Sequence, residues 1–163
     1  MLPDHPKILV LPALLAKLEP LRALGMRIIF TNGCFDLLHP GHVDLLQRTK
    51  ALGDILVLGL NDDASVRRQG KGADRPITPM QARAFVLAHL ESVDFVTFFA
   101  EDTPLELIRA VRPHVLVKGG DWKPEQIVGR ELVVANGGQV HSLPLLPGYS
   151  TTAIINTIRG SHP

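Results

Sequence analysis

The chain carries a single cysteine, Cys34, among its 163 residues, so no intrachain disulfide can form. That absence suits a reducing compartment, and the expected location is cytoplasmic. Charge of one sign is also missing, since 17 lysines and arginines meet 16 aspartates and glutamates for a formal net charge of +1. Nonspecific nucleic-acid binders use a clear basic excess to release counterions, so no nucleic-acid partner is expected. Aromatic residues make up only 5%, which argues against a base-stacking platform. Long hydrophobic runs are lacking too. The most apolar early stretch, Ile8 to Leu24, is broken by Pro12, Lys17, Glu19, Pro20 and Arg22, and no basic region and small-residue cleavage site frame it. It reads as an amphipathic helix over Pro12 to Leu24, with no membrane partner implied.

Several chemical signatures are absent. The histidines and the cysteine form neither Cys-x-x-Cys nor His-Glu-x-x-His, so no protein-held metal is expected. There is no Gly-x-Ser-x-Gly elbow, no Gly-x-x-x-x-Gly-Lys-Ser/Thr phosphate loop and no Gly-x-Gly-x-x-Gly dinucleotide fingerprint.

What remains is a chain with 45% hydrophobic and 20% charged residues, ordinary for a soluble globular protein. At roughly 150 residues per domain it makes one domain, able to bury about two thirds of its unfolded surface without metal or disulfide. Short apolar runs rich in β-branched and aromatic residues recur at Ile28 to Phe30, Ile55 to Leu60, Phe95 to Phe99, Val115 to Val117 and Val140 to Leu143. Their nearly continuous apolarity predicts strands covered on both faces. Helical stripes lie between them, and Thr78-Pro79-Met80-Gln81 and Thr103-Pro104-Leu105-Glu106 both read as capping boxes with proline in the first turn. The alternation predicts an α/β fold, a doubly wound, mainly parallel five-stranded sheet with helices on both faces. In such sheets ligands bind at the carboxyl ends of the strands.

Four segments fall at those ends. The first strand runs into Thr31-Asn32-Gly33-Cys34-Phe35-Asp36-Leu37-Leu38-His39-Pro40-Gly41-His42, just as a helix begins. Backbone N–H groups and the helix dipole favour an anion there, imidazoles add donors, and Gly41 removes a side chain from the approach. A lone histidine would read as a cap or a packing residue; the combined context favours phosphate. Near the end, Gly148-Tyr149-Ser150-Thr151-Thr152 offers more hydroxyls than one helix cap needs. Asn61-Asp62-Asp63, followed by Arg67, Arg68, Lys71 and Arg75, reads by default as a solvated face, but its place after a strand suits a phosphate clamp. Lys118-Gly119-Gly120-Asp121-Trp122 follows another apolar run, with Lys118 able to meet phosphate and Asp121 able to accept from ribose or base. Cys34 lacks an evident activating base and reads as a packing or ligand-contact residue, not a nucleophile.

The segment from Asn32 to His42 resembles the signature of the His-x-Gly-His nucleotidyltransferases, the cytidylyltransferase-like superfamily, and Ser150 to Ile155 resembles its second signature. Within that superfamily, Asn32 to Asp36, Asn61 to Val66, Arg75-Pro76-Ile77 and Leu116 to Asp121 are most similar to the heptose 1-phosphate adenylyltransferases. The resemblance spans roughly Arg27 to Arg159 and implies a Rossmann-like nucleotidyltransferase domain over 26–160, behind the amphipathic helical segment read from the residues over 1–25. It implies transfer of AMP from ATP to D-glycero-D-manno-heptose 1-phosphate, giving ADP-heptose and pyrophosphate for lipopolysaccharide core synthesis. In some bacteria that activity is half of a bifunctional protein with a sugar kinase. The present length excludes a kinase half, so a stand-alone enzyme is expected, acting as a homodimer with Mg²⁺ held mainly through ATP phosphates.

Carried over residue by residue, His39, His42 and Lys71 take the catalytic roles. Thr31, Asn32, Gly33, Cys34, Phe35 and Gly41, together with the two histidines, contact nucleotide; so do Lys118, Gly119, Asp121, Tyr149, Ser150, Thr151 and Thr152. Asp36, Asn61, Asp63, Arg67 and Arg75 face the sugar phosphate. Cytidylyltransferases such as the glycerol-3-phosphate enzyme, the alternative assignment, carry an arginine shortly before the serine-threonine signature. Here Leu143 to Tyr149 contains none, which weakens that alternative.

Overall fold

The computed structural model describes residues 4–70 and 74–160. Five strands, β1 (Ile28–Gly33), β2 (Ile55–Asn61), β3 (Phe95–Phe99), β4 (Val115–Gly119) and β5 (Gln139–Leu143), form one sheet in the order β3-β2-β1-β4-β5. Every pairing is parallel. Helices α1 (Leu11–Ala23), α2 (Pro40–Lys50), α3 (Asp63–Arg68), α4 (Met80–Ala88), α5 (Leu105–Val111), α6 (Arg130–Ala135) and α7 (Thr151–Ile158) connect or flank the strands.

The period-two alternation of a strand sends neighbouring side chains to opposite faces. Thus Ile28, Phe30, Val57 and Leu116 meet Leu14 and Leu18 of α1, Leu107, Ile108 and Val111 of α5 and Val133 of α6. Ile29, Leu56, Leu58, Val115 and Val117 meet Leu46 of α2 and Ala84 and Leu87 of α4 on the other side. Both faces are covered, as the continuous apolar runs require. Leu14 and Leu18 are 0% and 2% exposed, so α1 belongs to the first core; truncating either to alanine costs about 2–5 kcal/mol.

Two strands run on past the apolar residues that reveal them. β1 continues through Asn32 and Gly33, paired with Gly59 and Leu60, and β4 through Lys118 and Gly119, paired with Ser142 and Leu143. Ladder hydrogen bonds are made by the backbone, so polar residues extend a strand wherever the neighbour is in register. The consequence is functional, because β1 and β4 are adjacent at the point where the strand order reverses. Their polar carboxyl ends flank the crevice.

The two expected capping boxes are not formed. Pro79 and Pro104 themselves bound α4 and α5, and neither helix start carries a side-chain cap bond. At Thr78 the cause is visible: its backbone N–H is drawn to Asp36 Oδ1 at 2.8 Å. The edge of β3 is covered by the chain's early residues, with Leu9 N donating to Val96 O and Val96 N to Lys7 O at 2.9 and 2.8 Å. Among the described residues no helix is long and apolar enough to cross a membrane.

Candidate active site

The crevice begins at α2. His39 is the residue before the helix, in extended conformation, and Pro40 fills the first helical position, where a missing N–H is no loss. The imidazole makes no capping bond, so the bland role for His39 does not apply. Instead its ring stacks on that of His42, centroids 3.8 Å apart and planes at 22°. Phe35 also packs against His42, with ring centroids 5.1 Å apart and planes tilted by 52°. Gly41 makes the stack possible, since a Cβ there would lie 3.1 Å from Cε1 and Nδ1 of His39. Burial holds the His39 pKa below its ordinary 6.5, and its Nδ1 is buried with no hydrogen-bond partner. An arriving anion reverses that preference by stabilising the imidazolium.

His42 lines a cleft of about 370 Å³ between the ends of β1 and β4. Asn32, Gly33, Cys34 and Phe35 form its β1 side; Lys118 and Gly119 form its β4 side. Thr151 and Thr152 close it from the start of α7, where Ser150 caps the helix by accepting from Ala153 N at 3.0 Å. Thr151 Oγ1 also donates to Leu37 O at 3.3 Å, tying α7 to the loop that carries the histidines. The cleft thus gathers the starts of two helices, an imidazole, a lysine and two hydroxyl residues from segments far apart in sequence. Gly119 is required by packing, because a Cβ there would sit 2.5 Å from Leu45 Cδ2.

Asp36 and Arg75 line the same cleft but are paired with each other. Arg75 Nε donates to Asp36 Oδ2 at 2.5 Å, and the N–H groups of Ile77 and Thr78 add bonds of 2.9 and 2.8 Å. Burial alone would push this carboxyl up; the two backbone donors and the guanidinium outweigh it and hold Asp36 below the ordinary 3.8. Asp36 therefore fixes Arg75 and the Ile77–Thr78 turn, and its acceptor capacity is largely spent on them.

The other expected residues are placed as follows. Thr31 is buried within β1 at 1% exposure and does not reach the cleft surface. Asn61, also buried, donates from Nδ2 to Ser65 Oγ at 2.9 Å and borders a second, adjoining cavity. Asp63 accepts from Arg83 at 2.7 Å. Arg67 and Asp121 are exposed, outside both cavities, and Tyr149 is 48% exposed beside Gly41. Lys71 lies outside the described residues.

Sequence reasoning missed Arg83, whose side chain is fully buried. Its guanidinium donates to the carbonyls of Cys34, Asn61 and Thr78 at 2.5, 3.0 and 2.9 Å, besides Asp63. One side chain thereby joins the ends of β1 and β2 to the turn held by Asp36. The available signal was positional: Arg83 sits beside Ala84 and one turn before Leu87 on the stripe of α4 that faces the sheet. Trp122 was seen only as part of its glycine motif, yet it borders both cavities, with Nε1 donating to Gly119 O at 3.2 Å.

Comparisons with known proteins bear on the family and the fold. A family model described as cytidylyltransferase-like matches residues 30–157. "Bifunctional protein HldE" of Halorhodospira halophila is 60% identical over 148 residues, which cover 91% of this chain and 31% of that protein. The protein of the same name from Pseudomonas paraeruginosa is 55% identical over 152 residues, 93% of this chain and 32% of its own length. The chain therefore spans about a third of the length of these curated relatives. Among solved structures, the lipopolysaccharide core biosynthesis protein of Thermoplasma volcanium superposes with a TM-score of 0.61 at 28% identity, covering 75% of this chain and 98% of that one. Pantothenate synthetase of Thermus thermophilus, at 17% identity and TM-score 0.58 over 86% of this chain and 62% of its own, shares the fold.

Proposed function

Because the chain belongs to the cytidylyltransferase-like family, we propose that it is an adenylyltransferase acting on a sugar 1-phosphate. The proposed reaction transfers AMP from ATP to D-glycero-D-manno-heptose 1-phosphate, giving ADP-heptose and pyrophosphate for lipopolysaccharide core synthesis. The observation that carries the reading is His42, stacked on His39 at the start of α2, lining a cleft together with Lys118, Thr151 and Thr152. Relatives named as bifunctional HldE proteins, and a structural neighbour named for lipopolysaccharide core biosynthesis, support the choice of acceptor.

In this reading an acceptor phosphate oxygen attacks the α-phosphorus of ATP, and the bond to the bridging oxygen breaks with its electron pair leaving on pyrophosphate. The attacking oxygen is already anionic near neutral pH, so no strong base is needed. Positioning and electrostatic stabilisation then supply most of the rate. His42 donates to oxygens on the α-phosphate while His39 supports its ring and shares the proton load. Lys118 neutralises phosphate charge from the β4 side of the cleft, with Arg75, paired with Asp36, and Lys71 as further cations.

Mg²⁺ enters the reading only as an ion chelated by the nucleotide. Among the described residues no group of three histidine, cysteine or carboxylate side chains is placed to hold a metal. Asp36, a carboxylate on the cleft lining, is committed to Arg75, Ile77 and Thr78. The residues present do not fit a protein-held ion, and no step is assigned to one.

The reading also includes a cytoplasmic homodimer. The deciding experiment incubates the chain with ATP, Mg²⁺ and heptose 1-phosphate and assays ADP-heptose and pyrophosphate. Turnover with ATP and this acceptor is expected. Strong preference for CTP, or turnover only with a different phosphorylated acceptor such as glycerol 3-phosphate, would overturn the substrate assignment.

A further inference from the structure

Beside the cleft that holds His42 lies a second cavity of about 430 Å³, and the two share Asn32, Lys118 and Trp122 as a common wall. Their linings differ in chemistry. The first presents imidazole, guanidinium and hydroxyl donors, the groups that meet phosphate oxygens. Beyond the shared wall, the second is lined among the described residues by amide, carboxylate and hydroxyl side chains, Gln69, Asp102, Thr103 and Gln126, backed by Leu116 and Ile127. No arginine or histidine contributes to it there.

Amides and carboxylates match hydroxyls one donor or acceptor at a time, whereas an indole and aliphatic walls cover the C–H faces of a sugar ring. A triphosphate in this cavity would instead set its charge against Asp102 and apolar walls. We propose that the second cavity receives the polyhydroxylated ring of the acceptor, with the acceptor phosphate at the shared wall beside Lys118 and Asn32, and that Asp102 and Gln126 determine specificity for it. This assignment rests on the nucleotidyl-transfer reading above.

The shared wall fixes the direction. A phosphate at Lys118 faces the compartment of His42, where the α-phosphate must lie, so its ring extends the other way. A volume of about 430 Å³ falls within the range of small-molecule sites, roughly 300–1,000 Å³. Two lining groups are already oriented: Cys34 Sγ donates to Gln69 Oε1 at 3.2 Å, turning the amide nitrogen away from the thiol. Asp102 is held by Arg68 Nε at 2.7 Å in an exposed pair that a hydroxyl can join without breaking a buried bond.

The test uses Asp102→Asn and Gln126→Leu in the full chain, both at exposed positions and both checked by thermal melting. Losing one hydrogen bond to the acceptor should raise its KM about three- to tenfold. The KM for ATP, and kcat at saturating acceptor, should change less than about twofold. Trp122 is the only tryptophan, so its emission gives an independent readout with heptose 1-phosphate and no ATP present. Wild-type emission should saturate, and each variant should shift the midpoint by the same three- to tenfold factor.

A rise in the ATP KM instead would show that the cavity holds the nucleotide base and overturn the inference; so would unchanged KM values for both substrates. The outcome is separable from that of the proposed function. If the wild-type chain turns over no heptose 1-phosphate, the reaction assignment fails, while Trp122 titrations with other sugar 1-phosphates still decide the cavity. Absence of any sugar phosphate response there overturns the cavity assignment as well.

Discussion

The imidazoles of His39 and His42 lie face to face, 3.8 Å between centroids. Burial favours the neutral form of His39. A polyphosphate changes the balance, and ATP binding near pH 7 should take up protons. Calorimetry in buffers of different ionisation enthalpy measures this directly; identical heats in all buffers would refute it. The chemical consequence is tested by His42→Ala, which should lower turnover on the order of 10²-fold or more, as losing one preorganised donor does. Near wild-type pyrophosphate release in that variant would remove His42 from the mechanism.

Gly41→Ala separates stability from activity. Alanine is favoured over glycine inside a helix by up to about 1 kcal/mol, so the variant should melt no lower than wild type by much. Its Cβ, however, would stand 3.1 Å from the His39 ring, tighter than ordinary contact, so the ring must shift against His42. A clear fall in kcat with a nearly unchanged melting temperature is expected. Full activity would show that the stacking geometry is dispensable.

Arg83→Met removes a buried guanidinium that satisfies three carbonyls and the carboxylate of Asp63. Breaking a buried ion pair from one side costs about 3–5 kcal/mol, and urea unfolding should show a loss of that order. Arg83→Lys keeps the charge without the planar fork, so it should recover only part of the loss. Equal stability of lysine and arginine here would argue against the fork geometry as the organising element.

Stability should fall in two stages as the solution is acidified. His39 and His114 titrate below the ordinary 6.5 because burial disfavours their charged forms, with Arg22 and Arg27 adding to the effect at His114. His114 Nδ1 accepts from Ile28 N at 2.9 Å, which a protonated ring cannot do. The unfolded chain takes up these protons first, so stability is complete above about 6.5 and declines as pH drops through that value. Asp36 acts in the same direction at lower pH: its lowered carboxyl pKa stabilises the fold above the ordinary 3.8, and that contribution disappears as pH falls through the lowered value. Urea midpoints from pH 8 to pH 3 would reveal both stages, and a flat profile between pH 7 and 5 would contradict the first.

The strands were legible because Ile28, Leu56, Val96, Val115 and their neighbours must be apolar on both faces of a covered parallel sheet. The cleft residues His42, Lys118, Thr151 and Thr152 were legible because each follows a strand or opens a helix, and the structure brings them to one cleft. Residues whose partners are distant backbone atoms were not. Nothing in the order of residues tells that Asp36 answers to the N–H groups of Ile77 and Thr78, or that Arg83 serves the carbonyls of Cys34 and Asn61. Asp36, Asp63 and Arg75 have the residue types of substrate ligands, but their geometry pairs Asp36 with Arg75 and Asp63 with Arg83. The second cavity was hidden for a related reason: Asn61 ends β2 while Gln69, Asp102 and Gln126 come from three separate connections, and no periodicity links them.

Lys7 to Leu9 also govern how the protein behaves when crowded. Their bonds to Val96, reinforced by Lys7 Nζ donating to Val93 O at 2.7 Å, occupy backbone groups that an edge strand otherwise presents to other chains. A version beginning at Leu11 would retain the cleft but bare that edge, and intermolecular strand pairing should follow. Its specific activity at low concentration should match the full chain, while light scattering on standing or warming should rise well before the full chain's does.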